Sequence, residues 1–373
     1  MIGRLLEKTI KERLFKNKAI ILLGPRQVGK TTLLKHLSEN MEDVLWLNAD
    51  NFEVQTLFEY PSSSRFKTII GHHKIIIIDE AQNIKDIGIK LKIIIDEIKD
   101  VQVIATGSSS FDLANKTSEP LTGRKFEFNM FPLSFKEMVQ HHGFFNENNQ
   151  LNHRLVFGYY PDVVVNHGSE KEILKLLADS YLFKDILIWH KIKKSDKLIK
   201  LLQALAFQIG QQVSYHELGN SIGLNSETVE SYIQLLEKSY IIFRLGSYSN
   251  NLCNELKKSK KIYFIDNGIR NALISSFNPI ELRNDTGALW ENFIISERQK
   301  YRAYHNIYAN TYFWRTHAQQ EIDYLEERNG TLYAYEFKWN SVKIVKPSKT
   351  FTKAYPKASF EVIHCDNFES FLM

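Results

Sequence analysis

The feature that most constrains this chain is the run KAIILLGPRQVGKTTLLKHL at residues 18–37, an apolar stretch, a glycine-bounded loop and an amphipathic stretch joined without a break. The apolar part predicts a buried strand and the last part a helix with one apolar face. Between them Gly24, Gly29, Lys30 and Thr31 fit the spacing of a P-loop, which needs a strand before it and a helix after it. Glycines let backbone N–H groups turn inward around phosphate oxygens, and the helix N-terminus adds its positive dipole end. On this reading Gly24, Pro25, Arg26, Gln27, Val28, Gly29, Lys30, Thr31 and Thr32 cradle the phosphates of ATP. Lys30 reaches the β and γ phosphates, and Thr31 offers its hydroxyl to Mg2+.

A second run, KIIIIDEAQ at residues 74–82, is a continuous aliphatic stretch that ends in an acidic pair. It suits a strand buried on both faces of a parallel sheet, with Asp79 at its C-terminal end to hold Mg2+ and Glu80 to polarise an attacking water. Another strand pattern, DVLWLNAD, lies between the two motifs. This layout resembles the AAA-type branch of P-loop ATPases. The run VQVIATGSSSF reads as a fourth strand and KFEFNMFPLSF as a fifth. In AAA-type proteins a polar residue at the tip of the fourth strand senses the γ phosphate, which makes Ser108 the candidate; a turn or helix cap explains the same residues equally well. Arg124, just before the fifth strand, is a candidate to neutralise transition-state charge from its own or a neighbouring subunit, which in the second case requires a homo-oligomer.

At 373 residues the chain exceeds one ordinary core, and roughly two to three domains are expected. Its longest aliphatic run is far short of the roughly 20 apolar residues of a membrane helix. Charges interrupt the apolar residues of MIGRLLEKTIKERLF, which argues against a signal peptide, and the two cysteines have no metal-type spacing. A cytoplasmic protein without a membrane partner is expected. The net charge of +5 is concentrated in residues 184–261, where 12 Lys and Arg face 7 Asp and Glu. A local excess of this kind points to a nucleic-acid partner or to a lysine-solvated surface.

With GPRQVGKTTLL, IIIIDEAQ, TGSSS and LTGR stand the blocks FPLSFKE, GYYPDVV, KIYFIDNGI and GALWENFI, spread over residues 20–340. Together they resemble a prokaryotic family of AAA-type ATPases whose C-terminal domain of unknown function contains a PD-(D/E)xK nuclease-like core. The resemblance implies an α/β chain in four parts. These are an AAA-type P-loop ATPase core at 1–132, a helical lid at 133–192, a winged-helix segment at 193–275 and a restriction-endonuclease-like α/β domain at 276–373.

The residues themselves add detail to the last two parts. The stretch SYHELGNSIGLNSETVESYIQLLEKSYIIFRL reads as two short helices and a strand, a helix-turn-helix followed by a wing. Its second helix carries Glu227, Glu230 and Glu237 outward, which phosphates repel, so lysines before and after it would have to hold any nucleic-acid backbone. Further on, EIDYLEERNGTLYAYEFKW reads as two strands joined at Asn329 and Gly330. Alternation puts Glu336 and Lys338 on one face, and Asp323 precedes them in the order of PD-(D/E)xK nucleases. In such nucleases two acids hold Mg2+ or Mn2+ and the lysine orients or deprotonates the attacking water. Glu291 in GALWENFI matches a further acid on the preceding helix. A strand surface with ordinary solvated charges is the bland alternative. The functional expectation is an Mg2+-dependent ATPase acting on or with nucleic acid, with nuclease activity in the C-terminal domain. The alternative is a nucleotide-controlled binding switch whose nuclease-like domain is an idle docking module.

Overall fold

The computed structural model describes residues 1–39, 41–107, 117, 119–181, 195–248, 260–316, 318–341 and 345–373. They form two compact units, one of Met1–Leu133 with Lys238–Tyr240 and the other of Ser134–Glu237 with Ile241–Met373.

In the first unit five strands, β1 (Ala19–Leu23), β2 (Val44–Asn48), β3 (Ile75–Asp79), β4 (Gln102–Gly107) and β5 (Lys125–Asn129), form one sheet in the order β2-β3-β4-β1-β5. Every pairing is parallel. β1, β3 and β4 are buried along their whole length, which explains their unbroken aliphatic runs, whereas the edge strands β2 and β5 are largely half-buried. Because β4 lies between β1 and β3, the loop after β1 and the acidic end of β3 open on the same C-terminal edge without being neighbours in sequence. That edge is where doubly wound sheets bind ligands. Helices α1 (Lys30–Ser38) and α2 (Ile87–Glu97) follow β1 and β3.

In the second unit a run of short helices from Phe135 to Leu176 precedes α3 (Ser195–Phe207), α4 (Tyr215–Ile222) and α5 (Ser226–Lys238). Ser134 caps the first of them with a reciprocal Glu137 bond, as the FPLSFKE block allows. A seven-stranded sheet takes β6 (Gln212–Val213), β7 (Ile242–Ser247), β8 (Lys260–Phe264), β9 (Asn310–Arg315), β10 (Glu321–Arg328), β11 (Thr331–Phe337) and β12 (Ser359–Ile363) in the order β12-β11-β10-β9-β7-β8-β6. Asn329 and Gly330 both have positive φ, 51° and 75°, and close the β10–β11 hairpin as a two-residue turn. Tyr335 and Phe337 pack their rings on Phe371 at 4.6 and 5.9 Å between centroids, which accounts for the aromatic side of YAYEFKW.

Two of the expected boundaries do not separate compact parts. β7 pairs in parallel with β9 through Gly246↔Tyr312 and Ser247↔Phe313, so the sheet runs through the expected break at 275. The helices expected as a lid belong to the same unit as this sheet. Buried polar bonds tie them: Asp266 Oδ2 accepts from Tyr159 N at 2.7 Å, and Asn271 Nδ2 donates to the Val156 carbonyl at 2.8 Å. Non-local pairings of this kind leave no trace in local sequence pattern. The helix α6 (Thr286–Tyr304) lies against this sheet through its contacts with β8 and β11.

Candidate functional site

The loop between β1 and α1 is shaped by backbone that only certain residues tolerate. Gly29 sits at φ 93° as the residue that caps α1, and Gln27 also takes a left-handed φ of 60°. A Cβ at Gly24 would run into the Met130 carbonyl, so that close approach requires glycine. Arg4, nearly buried, donates to the Val28 carbonyl at 2.7 Å and the Phe131 carbonyl at 2.6 Å and so pins the loop from outside. Lys30 is buried, and its ammonium donates to the Gly24 and Pro25 carbonyls at 2.8 Å each. Pro25, Val28 and Gly24 are buried, Arg26 and Thr31 half-buried, Gln27 and Thr32 exposed.

Across the same edge, Thr31 Oγ1 donates to Asp79 Oδ2 at 2.8 Å. Thr106, at the end of β4, donates to Asp79 Oδ1 at 2.5 Å and accepts from the Glu80 N–H at 3.0 Å. Glu80 has a left-handed φ of 52°, which turns the chain sharply after β3, and its carboxylate accepts from Gln82 Nε2 at 2.5 Å. The two acids are thus held by hydroxyl and amide groups. Thr106 and Gln82 were not singled out by sequence; their signal, a small polar residue ending a buried strand and a glutamine just past the acidic pair, is visible only once β3 and β4 are known to be adjacent.

One expected member, Arg124, stands elsewhere, and another, Ser108, is not among the described residues. Arg124 lies at the N-terminal edge of the sheet, where its carbonyl accepts from Ala19 N, while the phosphate loop follows Leu23 at the other end of the same strand pair. Five strand residues put roughly 15 Å between those edges. Arg124 pairs with Asp96 on α2 at 2.7 Å, so it does not join the site of its own chain.

In the second unit the hairpin register pairs Tyr324 with Tyr335 and so sets Asp323 beside Glu336. A register shift between Ile322 and Leu325 bends β10 at this point. Asp323 Oδ2 accepts from Phe337 N at 2.8 Å, and Lys338 Nζ lies 2.7 Å from Glu336 and 4.0 Å from Asp323. Burial raises the pKa of both acids; Asp323 raises that of Glu336 further. Burial also works against the Lys338 charge, but Asp323 and Glu336 outweigh it and raise its pKa. Glu291 on α6 joins the group from behind, accepting from Tyr263 Oη at 2.6 Å and pairing with Lys261 Nζ at 3.1 Å. Burial, opposed by Lys261 and reinforced by Asp323, pushes the Glu291 carboxyl up to about 7. Lys261, expected as part of a surface basic cluster, is instead buried and also pairs with Glu321 at 2.5 Å. Among the described residues no group of three or more His, Cys, Asp or Glu side chains has the arrangement to hold a metal ion.

Comparison with known proteins separates the first unit and divides the second in two. Residues 16–139 match the family model of an AAA domain, and residues 148–280 and 286–370 match two domains of unknown function, DUF8612 and DUF4143. An uncharacterized protein of Mycobacterium tuberculosis is 24% identical over 344 residues, covering 91% of this chain and 74% of its own. One of Haemophilus influenzae is 26% identical over 275 residues, covering 67% of this chain and 68% of its own. The solved structure of a Walker-type ATPase of Pyrococcus abyssi superposes with a TM-score of 0.52 at 15% identity, over 74% of this chain and 96% of that one. The chain has a P-loop ATPase-like α/β fold. No helix among the described residues is long and apolar enough to cross a membrane.

Proposed function

We propose that this protein is a cytoplasmic, Mg2+-dependent ATPase that works as a nucleotide-controlled switch on or with nucleic acid. The observation that carries the ATPase reading is the array of Lys30, Thr31, Asp79, Thr106 and Glu80 on one sheet edge. Its donor set fits the cofactor: a lysine ammonium held at the loop carbonyls, and a hydroxyl and carboxylate already in contact, both hard oxygen ligands suited to Mg2+. Mg2+ bound with ATP would neutralise phosphate charge. Thr31 and Asp79 would hold it, Lys30 would bind the phosphates, and Glu80 would orient the attacking water and take its proton. Phosphate release from ATP should require Mg2+ and fall away in Glu80→Gln; equal release by both proteins would overturn the assignment.

The nucleic-acid part rests on α3, β6, α4, α5, β7 and β8, whose order and antiparallel β6–β8 and β7–β8 pairings support a winged-helix reading. Lys197, Arg244 and Lys261 are engaged inside the unit, by the Ile222 carbonyl, by Glu237 and by Glu291 with Glu321. Phosphate contacts therefore fall to Lys200, Lys260 and the lysines at 184, 191, 193, 194, 257 and 258, which lie outside the described residues. Binding of this kind is sequence-poor and weakens with salt. Duplex affinity measured against salt should drop, with a shallower slope, when Lys257, Lys258 and Lys260 are changed to Gln; an unchanged curve removes these lysines from the interface.

For the second unit, the order Asp323, Glu336, Lys338 with Glu291 behind supports a nuclease-like core. As a binding site for Mg2+ or Mn2+ it fits poorly, because Lys261 and Lys338 already pair with Glu291 and Glu336. That observation favours the reading of this unit as a docking module, switched by the nucleotide state of the first and not itself cutting.

A further inference from the structure

Two carboxylates of the second unit, from different elements, meet at one buried ammonium. Lys261 enters from β8 with a side chain only 3% exposed, and its Nζ lies between Glu291 of α6, at 3.1 Å, and Glu321 of β10, at 2.5 Å. Tyr263, two residues on along the same strand, donates its hydroxyl proton to the same Glu291 oxygen. The other Glu321 oxygen lies 3.3 Å from Arg315, and Asp323 adds its charge to the field at the ammonium. Burial alone would drive a lysine toward the neutral form, but the two carboxylates in contact with it favour the charged ammonium.

A divalent ion needs several oxygen ligands free to converge on it, and a fixed cation among those oxygens both occupies them and repels a second cation. We infer that Lys261 is a built-in counter-ion that closes the Glu291, Glu321 and Asp323 cluster to divalent cations, so that this site accepts Mn2+ or Mg2+ only when the Lys261 ammonium is removed. The inference uses the nuclease-like reading only for the expectation of a metal, and its test needs neither cleavage nor ATP turnover.

The test is Mn2+ titration of the full chain without nucleotide, followed by electron paramagnetic resonance of the free ion and by thermal unfolding. The wild type should show no binding that depends on Asp323. Lys261→Met should bind Mn2+ at least tenfold more tightly than the wild type, gain thermal stability from it, and lose both on addition of Asp323→Asn. Since Lys261→Met leaves buried carboxylates unpaired and can fail to fold, Lys261→Gln, which keeps a donor toward Glu291, serves as the second variant with the same expected gain. Lys261→Arg, which keeps the charge, should stay as blind to Mn2+ as the wild type. Wild-type binding that Asp323→Asn abolishes would overturn the inference, because the site would then be open with Lys261 in place. A folded Lys261→Met or Lys261→Gln that gains no Mn2+ affinity would overturn it equally, because the lysine would not be what excludes the ion.

Discussion

The acids of the two candidate sites are held by opposite kinds of partner. Asp79 and Glu80 receive hydrogen bonds from Thr31, Thr106 and Gln82, groups that orient a carboxylate without cancelling its charge. Glu291, Glu321 and Glu336 meet Lys261, Arg315 and Lys338, which cancel it. A carboxylate dressed by neutral donors still attracts a cation, whereas one already in an ion pair must first lose its partner. The same residue types thus make a ready cofactor edge in one unit and a self-neutralised cluster in the other.

The largest expected effect breaks the comparison on its first side. Lys30→Ala removes the cation that the first site reserves for phosphate, and nucleotide affinity should fall on the order of a hundredfold, as loss of a charge-assisted phosphate contact with its supporting loop implies. Glu80→Gln keeps that contact and should bind nucleotide normally while turnover drops by about two orders of magnitude. Filter binding of labelled ATP beside a phosphate-release assay separates the two, and a Lys30→Ala protein with wild-type affinity would sink the phosphate assignment.

Next in size is Thr106→Val, which keeps shape but removes the hydroxyl that links Asp79 to the Glu80 N–H. A hydrogen bond to a charged group is worth about 1.5–3 kcal/mol. Turnover should therefore fall about tenfold or more with nucleotide affinity little changed, and Thr106→Ser should restore most of it. If kcat is untouched in Thr106→Val, Asp79 is positioned by Thr31 alone.

Thr106 also shows where sequence stops informing. The P-loop and the acidic end of β3 are contiguous patterns whose chemistry is local, so Lys30, Thr31, Asp79 and Glu80 stand together on one edge as their order suggests. The hairpin at Asn329 and Gly330 was equally local, since the turn itself demands those residues. Thr106, Gln82 and Arg4 act across strands or from the N-terminus, and Lys261 sits in a run of lysines that reads as surface until β8 is seen between β7 and β6. Arg124 shows the converse: it stands at the far end of its strand from the phosphate loop, so sequence order alone did not exclude it from the site of its own chain.

A smaller effect should appear in the pH dependence of stability. The Glu291 carboxyl, about 7 in the folded chain, titrates near 4.5 when unfolded. Its folded value is raised, so its contribution is fully present below about pH 4.5 and is lost as pH rises through about 7. Other groups held constant, unfolding free energy should decline by on the order of 1 kcal/mol between pH 5 and 8, and Glu291→Gln should flatten that decline. Denaturant melts at matched ionic strength measure it; a wild type and a Glu291→Gln that decline in parallel would mean that Lys261 keeps the carboxylate ionised throughout.

The smallest effect should come from Lys338, and it tests the comparison within the second cluster. Lys338 and Lys261 both face carboxylates, but the Lys338 side chain is 43% exposed and the Lys261 side chain 3%. Water and salt screen the exposed pair, so its contribution to stability belongs with surface ion pairs, usually below about 1 kcal/mol. Lys338→Ala should then unfold at nearly the wild-type denaturant midpoint, with ATP turnover unchanged, because the hydrolytic array lies in the other unit. A half-exposed lysine that matters little for stability yet stands 2.7 Å from Glu336 is also the group an active nuclease site would need. If wild-type protein cuts DNA with Mn2+ and Lys338→Ala does not, while both unfold alike, the second cluster works as a catalytic site and the contrast between the two units fails. If neither cuts and the midpoints agree, Lys338 is a solvated partner of Glu336, and the charge that keeps this cluster closed is that of Lys261.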